Sequence, residues 1–316
     1  MEQYKGNTAQ DVTAVVTSYN QGEMILEAVR SLYRQSTPPA RIIIIDDGST
    51  DKNSVCILNQ LKSELRSPVP LTVISQPNSG VSAARNTGLR RVETPLALVL
   101  DGDDKLEPSY IEKVSGLLRD NPSMAAASSW MQTFGILEAK VCPSGGGISA
   151  FLARNCCPAT HIHRHELWEQ CGGYDESMRS GFEDWDFFLN ILETSNNAWI
   201  GIVPEPLIDY RTAPASANIK SMTGRLSLMR YIIEKHNQSY HAHLADALLG
   251  IEAVSMSRLY GWENETLHTL EAGQSPGPES NKFIQNPSYG DGGMASAVRI
   301  ASFLKKSNSP DPPKDE

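Results

Sequence analysis

Apolar and polar positions alternate in blocks along the first hundred residues. Val12 to Ser18 is apolar and rich in β-branched residues. The segment after it places Ile25, Ala28, Val29 and Leu32 on one face at helical spacing, the stripe of an amphipathic helix. A second unit follows in which Ile42 to Ile45 reads as a strand, and Asp46-Asp47-Gly48-Ser49-Thr50-Asp51 supplies capping residues for a helix running toward Leu65. The third strand is Leu71 to Ser75. After Asn78-Ser79-Gly80, the residues Val81, Ala84 and Gly88 form a small-residue helical face able to lie close to a sheet. The continuous apolar run Pro95 to Leu100 reads as a fourth strand, covered on both faces. This alternation predicts an α/β fold with a mostly parallel central sheet, right-handed crossovers and every strand's carboxyl end on one edge. Tyr19-Asn20, Asp46-Asp47 and Asp101 to Asp104 would gather along that edge, where such folds place ligands.

Beyond residue 108 the rhythm loosens. A helix is predicted to Asp120, a strand near Met124 to Thr133, and a turn at Gly145-Gly146-Gly147. Trp185, Phe188, Leu189 and Leu192 then fall at i, i+3, i+4 and i+7 and define an amphipathic helix with Trp185 in the core. Glu183 and Asp184 lie off that stripe in the first turn, where the helix dipole favours carboxylates. From about Ser216 the composition turns helical, with segments near Arg225 to Lys235 and Leu244 to Tyr260. Gln274 to Gly293, rich in Pro, Gly, Ser and Asn, reads as a flexible linker or an ordered loop. Met294 to Leu304 offers one more helix, with Met294, Ala297, Val298, Ala301 and Leu304 on an apolar face beside Arg299, Lys305 and Lys306. Docking of that face on the core is favoured over docking on a membrane surface. The tail from Ser307 to Glu316 reads as disordered. The expected organisation is thus a catalytic domain over residues 1–217, divided into halves at 105/106, and a helical extension over 218–316.

Composition narrows the partners. With 316 residues, a formal net charge of −9 and no long Lys/Arg cluster, the chain is a poor match to a nucleic-acid backbone. A phosphorylated small ligand would need a local cation or helix amino-termini to overcome the repulsion. No apolar stretch of about eighteen residues occurs, and the first residues lack the regions of a signal peptide. The expectation is a cytoplasmic protein without a transmembrane segment, for which peripheral contact at the inner face of the membrane stays open. Five cysteines fit reduced thiols better than a disulfide framework. Cys156, Cys157 and Cys171 flank His161, His163 and His165, but their spacing matches no standard zinc pattern.

The strongest chemical signal is Asp101-Gly102-Asp103-Asp104, directly after the fourth strand. Asp101 and Asp103 lie two apart, and Gly102 lets the chain bend so that both can approach one hard divalent ion. The same composition also suits a plain turn, and the cluster alone does not choose between the two.

Four motifs in one order extend the reading: Thr17-Ser18-Tyr19-Asn20, Ile45 to Asp51, Gly80-Val81-Ser82-Ala83-Ala84-Arg85-Asn86-Thr87-Gly88, and Asp101 to Asp104. They continue through Gly172-Gly173-Tyr174-Asp175-Glu176, Glu183-Asp184 and Tyr210-Arg211. Together they resemble a family-2 glycosyltransferase of GT-A fold over roughly residues 11–216. The resemblance implies a nucleotide-diphosphate sugar donor, most often a uridine one, held by the first hundred residues, with the acceptor in the second half. It implies nucleotide-sugar contacts from Thr17, Tyr19, Asn20, Asp47, Arg85, Asp101 and Gly102. Tyr19 would lie against the base, Asp47 would accept a hydrogen bond from the base, and Arg85 would sit near base and phosphate. It implies Mn or Mg held by Asp103 and Asp101, with Asp104 in support. It also implies Asp184 as the base that deprotonates an acceptor hydroxyl, Glu183 orienting acceptor or helix, and inversion at the anomeric carbon.

Two departures qualify the resemblance. A histidine expected two residues after the Tyr-Arg pair is replaced by Ala213, leaving His161 and His163 as stand-in ligands to inspect. The signature and membrane spans of processive polysaccharide synthases are absent, which favours transfer of a single sugar. The alternatives are a sugar-nucleotide-binding protein that no longer catalyses and a nucleotidyltransferase. The latter is disfavoured because no Gly-rich, Lys-bearing phosphate loop is present. Glycan, lipid-linked, protein and secondary-metabolite acceptors all remain open, as does the oligomeric state.

Overall fold

A computed structural model describes residues 9–63, 68–135, 137–212, 224–286 and 293–307. The chain divides into two compact units, 1–244 and 245–316. The first is built on one ten-stranded sheet. Strand β1 (Ala9–Ser18) lies between β2 (Pro39–Asp46) and β4 (Leu96–Asp101), and β3 (Leu71–Ser75) flanks β2, all parallel. Helices α1 (Met24–Tyr33), α2 (Lys52–Ser63) and α3 (Val81–Leu89) provide the crossovers. The register pairs Thr17 with both Ile45 and Asp101, so the polar carboxyl ends of three strands do share one edge.

The small-residue face expected of α3 is real and tight. A Cβ added at Gly88 would come within 2.3 Å of Val15 Cγ1, so α3 rests on β1 at a distance only glycine permits. Ile25, Ala28, Val29 and Leu32 are all buried, the stripe that seats α1. Val12, Ala14 and Val16 pack in one cluster with Ile42, Ile44, Leu98 and Leu100. Ile43 and Ile45 pack with Ala84 of α3 on the opposite face, and this two-sided apolar filling makes these strands read as continuous hydrophobic runs.

The second half completes the same sheet by a less regular path. A two-residue strand, β5 (Lys105–Leu106), precedes α4 (Tyr110–Asp120), and β6 (Met124–Gly135) follows. Short strands β7 (Lys140–Val141) and β8 (Gly146–Gly147) and helix α5 (Ile148–Phe151) come next. Strand β9 (His161–Arg164) inserts antiparallel between β4 and β6. After α6 (His165–Cys171) and α7 (Glu183–Leu192), the long β10 (Trp199–Thr212) runs parallel to β6 and antiparallel to β5. The sheet is therefore mostly parallel on its first side and mixed on its second. Helices α8 (Arg225–Lys235) and α9 (Asn237–Ala242) belong to the first compact unit.

The second unit comprises α10 (Leu244–Glu271) from its second residue onward, α11 (Pro278–Gln285) and α12 (Gly293–Ser307). Its anchor is polar: Glu263, 6% exposed, accepts hydrogen bonds from Arg299 and from the buried Ser296. Two expectations are corrected here. The segment read as a linker or loop over 274–293 contains α11, because Pro278 sits in the first turn, where its missing N–H costs nothing, and Phe283 packs edge-on against Trp262. On α12, Ala297 and Ile300 are buried but Val298 is 58% exposed, so the apolar face is rotated from the one read in sequence. The tail after residue 307 and Ala213 lie outside the described residues. Among the described residues no helix is long and apolar enough to cross a membrane.

Candidate active site

The carboxyl edge of the parallel strands is assembled from backbone outward. Gly102 N–H donates to Thr17 O at 2.9 Å, and Thr17 Oγ1 donates to Asp101 Oδ1 at 3.2 Å, tying the first and fourth strand ends together. A Cβ on Gly102 would fall 2.2 Å from Gln21 Oε1 and 2.6 Å from Thr17 O, so this glycine is demanded by close approach. Asn20 adopts a left-handed backbone, φ 53°, and its Oδ1 accepts from the N–H groups of Thr50 and Asp51. That clasp fixes the turn beside Tyr19, which is 49% exposed.

Asp47 is buried and fully engaged. Its Oδ1 accepts from Gln76 Nε2 and Ser79 N–H, and its Oδ2 accepts from Gly80 N–H. Asp47 thus shapes the loop that leads into α3. A base N–H reaching this carboxylate would join three donors already in place.

Arg85 is 1% exposed. Its Nη2 meets both oxygens of Asp101 at 2.9 and 3.1 Å, and its Nη1 donates to Glu183 Oε1 at 3.0 Å. The Tyr174 ring lies 5.3 Å beneath the guanidinium carbon. Burial opposes the charge, but Asp101, Tyr174 and Glu183 outweigh it and hold Arg85 protonated. Both terminal nitrogens of this arginine, expected near base and phosphate, are thus spent as a strut between the Asp101 and Glu183 motifs.

The remaining acids divide by partner. Asp104, 2% exposed, accepts from Arg211 N–H at 2.8 Å, and burial followed by the neighbouring Asp103 pushes its carboxyl well up. Asp103 is pushed up to about 6, by burial and then by the charge of Asp101. Its side chain receives Gln21 Nε2 at 3.4 Å, and among the described residues it has no ion-pair partner. A buried carboxylate beside another carboxylate, without a cation of its own, fits a divalent ion. Asp101, whose two oxygens are held by Arg85, is the less free of the two predicted ligands. Among the described residues no group of three or more His, Cys, Asp and Glu side chains is arranged to hold a metal. Mg²⁺ commonly takes only one or two carboxylates and completes its shell with water and substrate phosphates.

His161 and His163, read as stand-in ligands, are spent elsewhere. Both are fully buried on β9 and pack on Phe187. His163 Nδ1 and His161 Nε2 pair at 3.2 Å, and burial pulls His161 down to about 3. They act as neutral core residues.

Glu183 and Asp184 open α7 behind a strained turn. Gly181 has φ 110° and Phe182, a bulky residue, has φ 67°, a conformation that costs of order 1–3 kcal/mol and clusters at functional sites. It swings the first turn of α7 toward the strand edge, where the helix dipole favours both carboxylates. Asp184 Oδ2 accepts from Asn155 Nδ2 at 2.9 Å and Oδ1 from Trp185 N–H at 2.8 Å. Burial, then the charge of Glu183, pushes Asp184 up to about 7.

Gln21, Asn155 and Tyr174 join the site although the sequence pattern gives none of them a role. Tyr210 and Arg211 stand in the sequence only as a motif. Burial and the charges of Asp104, Asp101 and Asp103 push the Tyr210 phenol up, which places it against the acid cluster. Arg211 Nε donates to Asp103 O, and its Nη2 pairs with Glu27 at 2.8 Å. The signal for Gln21 was its position directly after Tyr19-Asn20. Nothing marked Asn155, which reaches the site from a loop.

Residues 13–140 match the family described as Glycosyl transferase family 2. An uncharacterized glycosyltransferase, YwdF, of Bacillus subtilis is 25% identical over 236 residues, covering 71% of this chain and 84% of its own. Chondroitin synthase of Escherichia coli is 26% identical over 187 residues, which span 58% of this chain but only 26% of the synthase. Among solved structures, Staphylococcus aureus TarS residues 1–349 in complex with UDP-GlcNAc superposes with a TM-score of 0.59 at 14% identity, over 94% of this chain and 81% of that one. The same TarS segment in complex with UDP gives 0.55 at 15% identity, over 93% and 83%. At such identity these structures speak for the fold, and the sequence matches speak for the family. Residues 13–140 thus match the family-2 glycosyltransferases, and the fold is that of the TarS segment.

Proposed function

We propose that the protein transfers a single sugar, with inversion, from a nucleoside diphosphate sugar to an acceptor hydroxyl, using Asp184 as general base. One observation carries this reading. Asp184 stands at the amino end of α7 in reach of the Asp101 charge, and burial poises it near neutrality. A carboxylate with that pKa can take a proton from a hydroxyl at physiological pH as the hydroxyl attacks. Asn155 and Trp185 N–H fix which of its lone pairs stay open.

In this reading the donor lies along the strand edge. Tyr19 offers an exposed ring to a base, Thr17 and Gly102 form the floor, and the loop held by Asp47 forms a wall. A uridine donor is favoured because the TarS segment of the same fold was solved with UDP and with UDP-GlcNAc. Asp103, with Asp101 behind it, would hold Mn or Mg, which would neutralise the charge developing on the departing diphosphate. Arg85 fixes Asp101 and Glu183 relative to each other, so donor side and base keep one geometry.

Purified protein with Mn or Mg is expected to consume one sugar nucleotide from a panel, releasing nucleoside diphosphate. Asp184→Asn is expected to abolish turnover while donor affinity stays within twofold. Full activity of that variant would remove Asp184 as the base, and release of pyrophosphate would replace glycosyl transfer with nucleotidyl transfer.

A further inference from the structure

The helix that carries Asp184 is held from behind by a second ionic cluster outside the donor site. Asp186, on the same first turns of α7, has a fully buried carboxylate. Its Oδ2 accepts from Lys235 Nζ at 2.8 Å and from Asn190 Nδ2 at 3.0 Å, and its Oδ1 lies 3.0 Å from His236 Nε2. Lys235 Nζ also donates to Asp175 Oδ2 at 2.8 Å, in the loop after α6, where Tyr231 and Ser177 add hydroxyl donors. The other nitrogen of His236, Nδ1, faces Glu193 Oε2 at 3.0 Å, and Ser239 donates to Glu193 Oε1.

Carboxylates only accept, so an imidazole with a carboxylate on each nitrogen donates from both and is a cation. The cluster therefore sets the partly exposed Lys235 and the buried His236, at the carboxyl end of α8, against Asp186 of α7, Glu193 just after it and Asp175 of the preceding loop. The Tyr174 carbonyl and the Glu176 side chain of that loop are in turn held by Asn86 of α3. The clamp thus joins α7 to a loop that α3 grips on its other side.

We propose that Lys235 and His236 are positioning residues for sugar transfer, an ionic clamp on Asp186 that sets the first turn of α7 and makes transfer depend on a protonated His236. The inference rests on Asp184 being the base. Asp186 is two residues from Asp184, and its N–H donates to Phe182 O, closing the strained turn that presents the base. A shift of Asp186 is therefore a shift of Asp184, and misplacement by about 1 Å can cost roughly a hundredfold in rate. Burial opposes the charge of His236, but Asp186 and Glu193 raise its pKa above the ordinary histidine value. Lys235 is the like charge that shares Asp186 with it. Sign follows directly: the clamp is complete below the ordinary histidine pKa and is lost as pH rises through the raised one.

The test is the pH dependence of kcat and of donor KM for the full-length protein and for Lys235→Met, Lys235→Arg and His236→Gln, with melting temperature and donor affinity measured in parallel. Wild-type kcat is expected to fall on the alkaline side, and His236→Gln to lose that fall while its kcat at neutral pH drops about tenfold. Lys235→Met is expected to lose at least tenfold in kcat with donor KM within twofold, and Lys235→Arg to restore most of it. The inference is overturned if His236→Gln keeps the wild-type alkaline limb, or if Lys235→Arg is as impaired as Lys235→Met while both stay folded. Should the variants not fold, a wild-type kcat flat on the alkaline side up to the pH of unfolding overturns it equally. Failure of the base assignment reads separately, as retained activity in Asp184→Asn.

Discussion

Arg85 reaches Asp101 and Glu183 with one guanidinium, although the two acids are 82 residues apart in the chain. The side chain exposures are 2% for Arg85, 27% for Asp101 and 14% for Glu183, so this bridge is largely shielded from water. Removing one partner of a buried pair leaves charge uncompensated, at roughly 3–5 kcal/mol. Asp101 keeps some solvent, so Arg85→Ala is expected near about 3 kcal/mol, read by urea unfolding. Arg85→Lys, with one ammonium for two partners, is expected to lose activity out of proportion to stability, and equal losses in both would count against a strut that aligns the site.

Asp184 gives a pH prediction of defined sign. As the proposed base, Asp184 must be deprotonated to act, and burial with the charge of Glu183 pushes its pKa up to about 7. The acid limb of the pH–rate profile is therefore expected to rise through about pH 7. Asn155 donates to the carboxylate and favours its charged form. Asn155→Ala is expected to move the rising limb to higher pH, and an unmoved or lowered limb would show that this hydrogen bond does not tune the base.

Asp103 is the carboxylate with most to gain from a divalent ion. Asp103→Asn is expected to weaken Mn²⁺ binding, measured by the spin-resonance signal of free Mn²⁺ in the presence of a nucleoside diphosphate, by at least tenfold. Chelation is expected to stop turnover, and added Mn or Mg to restore it. Wild-type Mn²⁺ affinity in Asp103→Asn would move the ion away from this cluster.

The packing of α3 on β1 is testable apart from chemistry. Gly88→Ala places a methyl 2.3 Å from Val15 Cγ1 and 3.2 Å from Ile45 Cγ1. Overpacking of this kind costs typically about 1–3 kcal/mol. Because α3 also carries Arg85, the variant is expected to lose activity as well, and a melting temperature equal to wild type would show that the helix can lift without cost.

Most of the first half was legible because its residues follow simple periods. The apolar runs at 42–45 and 95–100 fix buried parallel strands, and the spacing of Ile25, Ala28, Val29 and Leu32 fixes the helix between the first two strands. Asp101 to Asp104 was legible as a cluster, yet its division of labour was not. Asp104 is consumed by a backbone N–H of Arg211, and Asp101 by Arg85, which only the tertiary structure brings together. Histidines at 161 and 163 resembled ligands because a strand puts them on one face, and the sequence could not say that this face is core. The role of Asp186 was hidden for a similar reason: its partners, Lys235 and His236, arrive nearly fifty residues later on a helix without any recognisable motif.

Strand β9 bears on the order in which this molecule can assemble. Until residues 161–164 have been made, β4 is the open margin of a finished parallel block, exposing a ladder of unpaired N–H and C=O groups beside the apolar run Leu96 to Leu100. Strand β6 cannot close that margin, because β9 must lie between them. A nascent chain emerging from the ribosome therefore carries a sticky sheet edge for some sixty residues of synthesis, the stretch from Asp101 to His161. Truncations ending inside that window should yield aggregates rather than a smaller folded nucleotide-binding module.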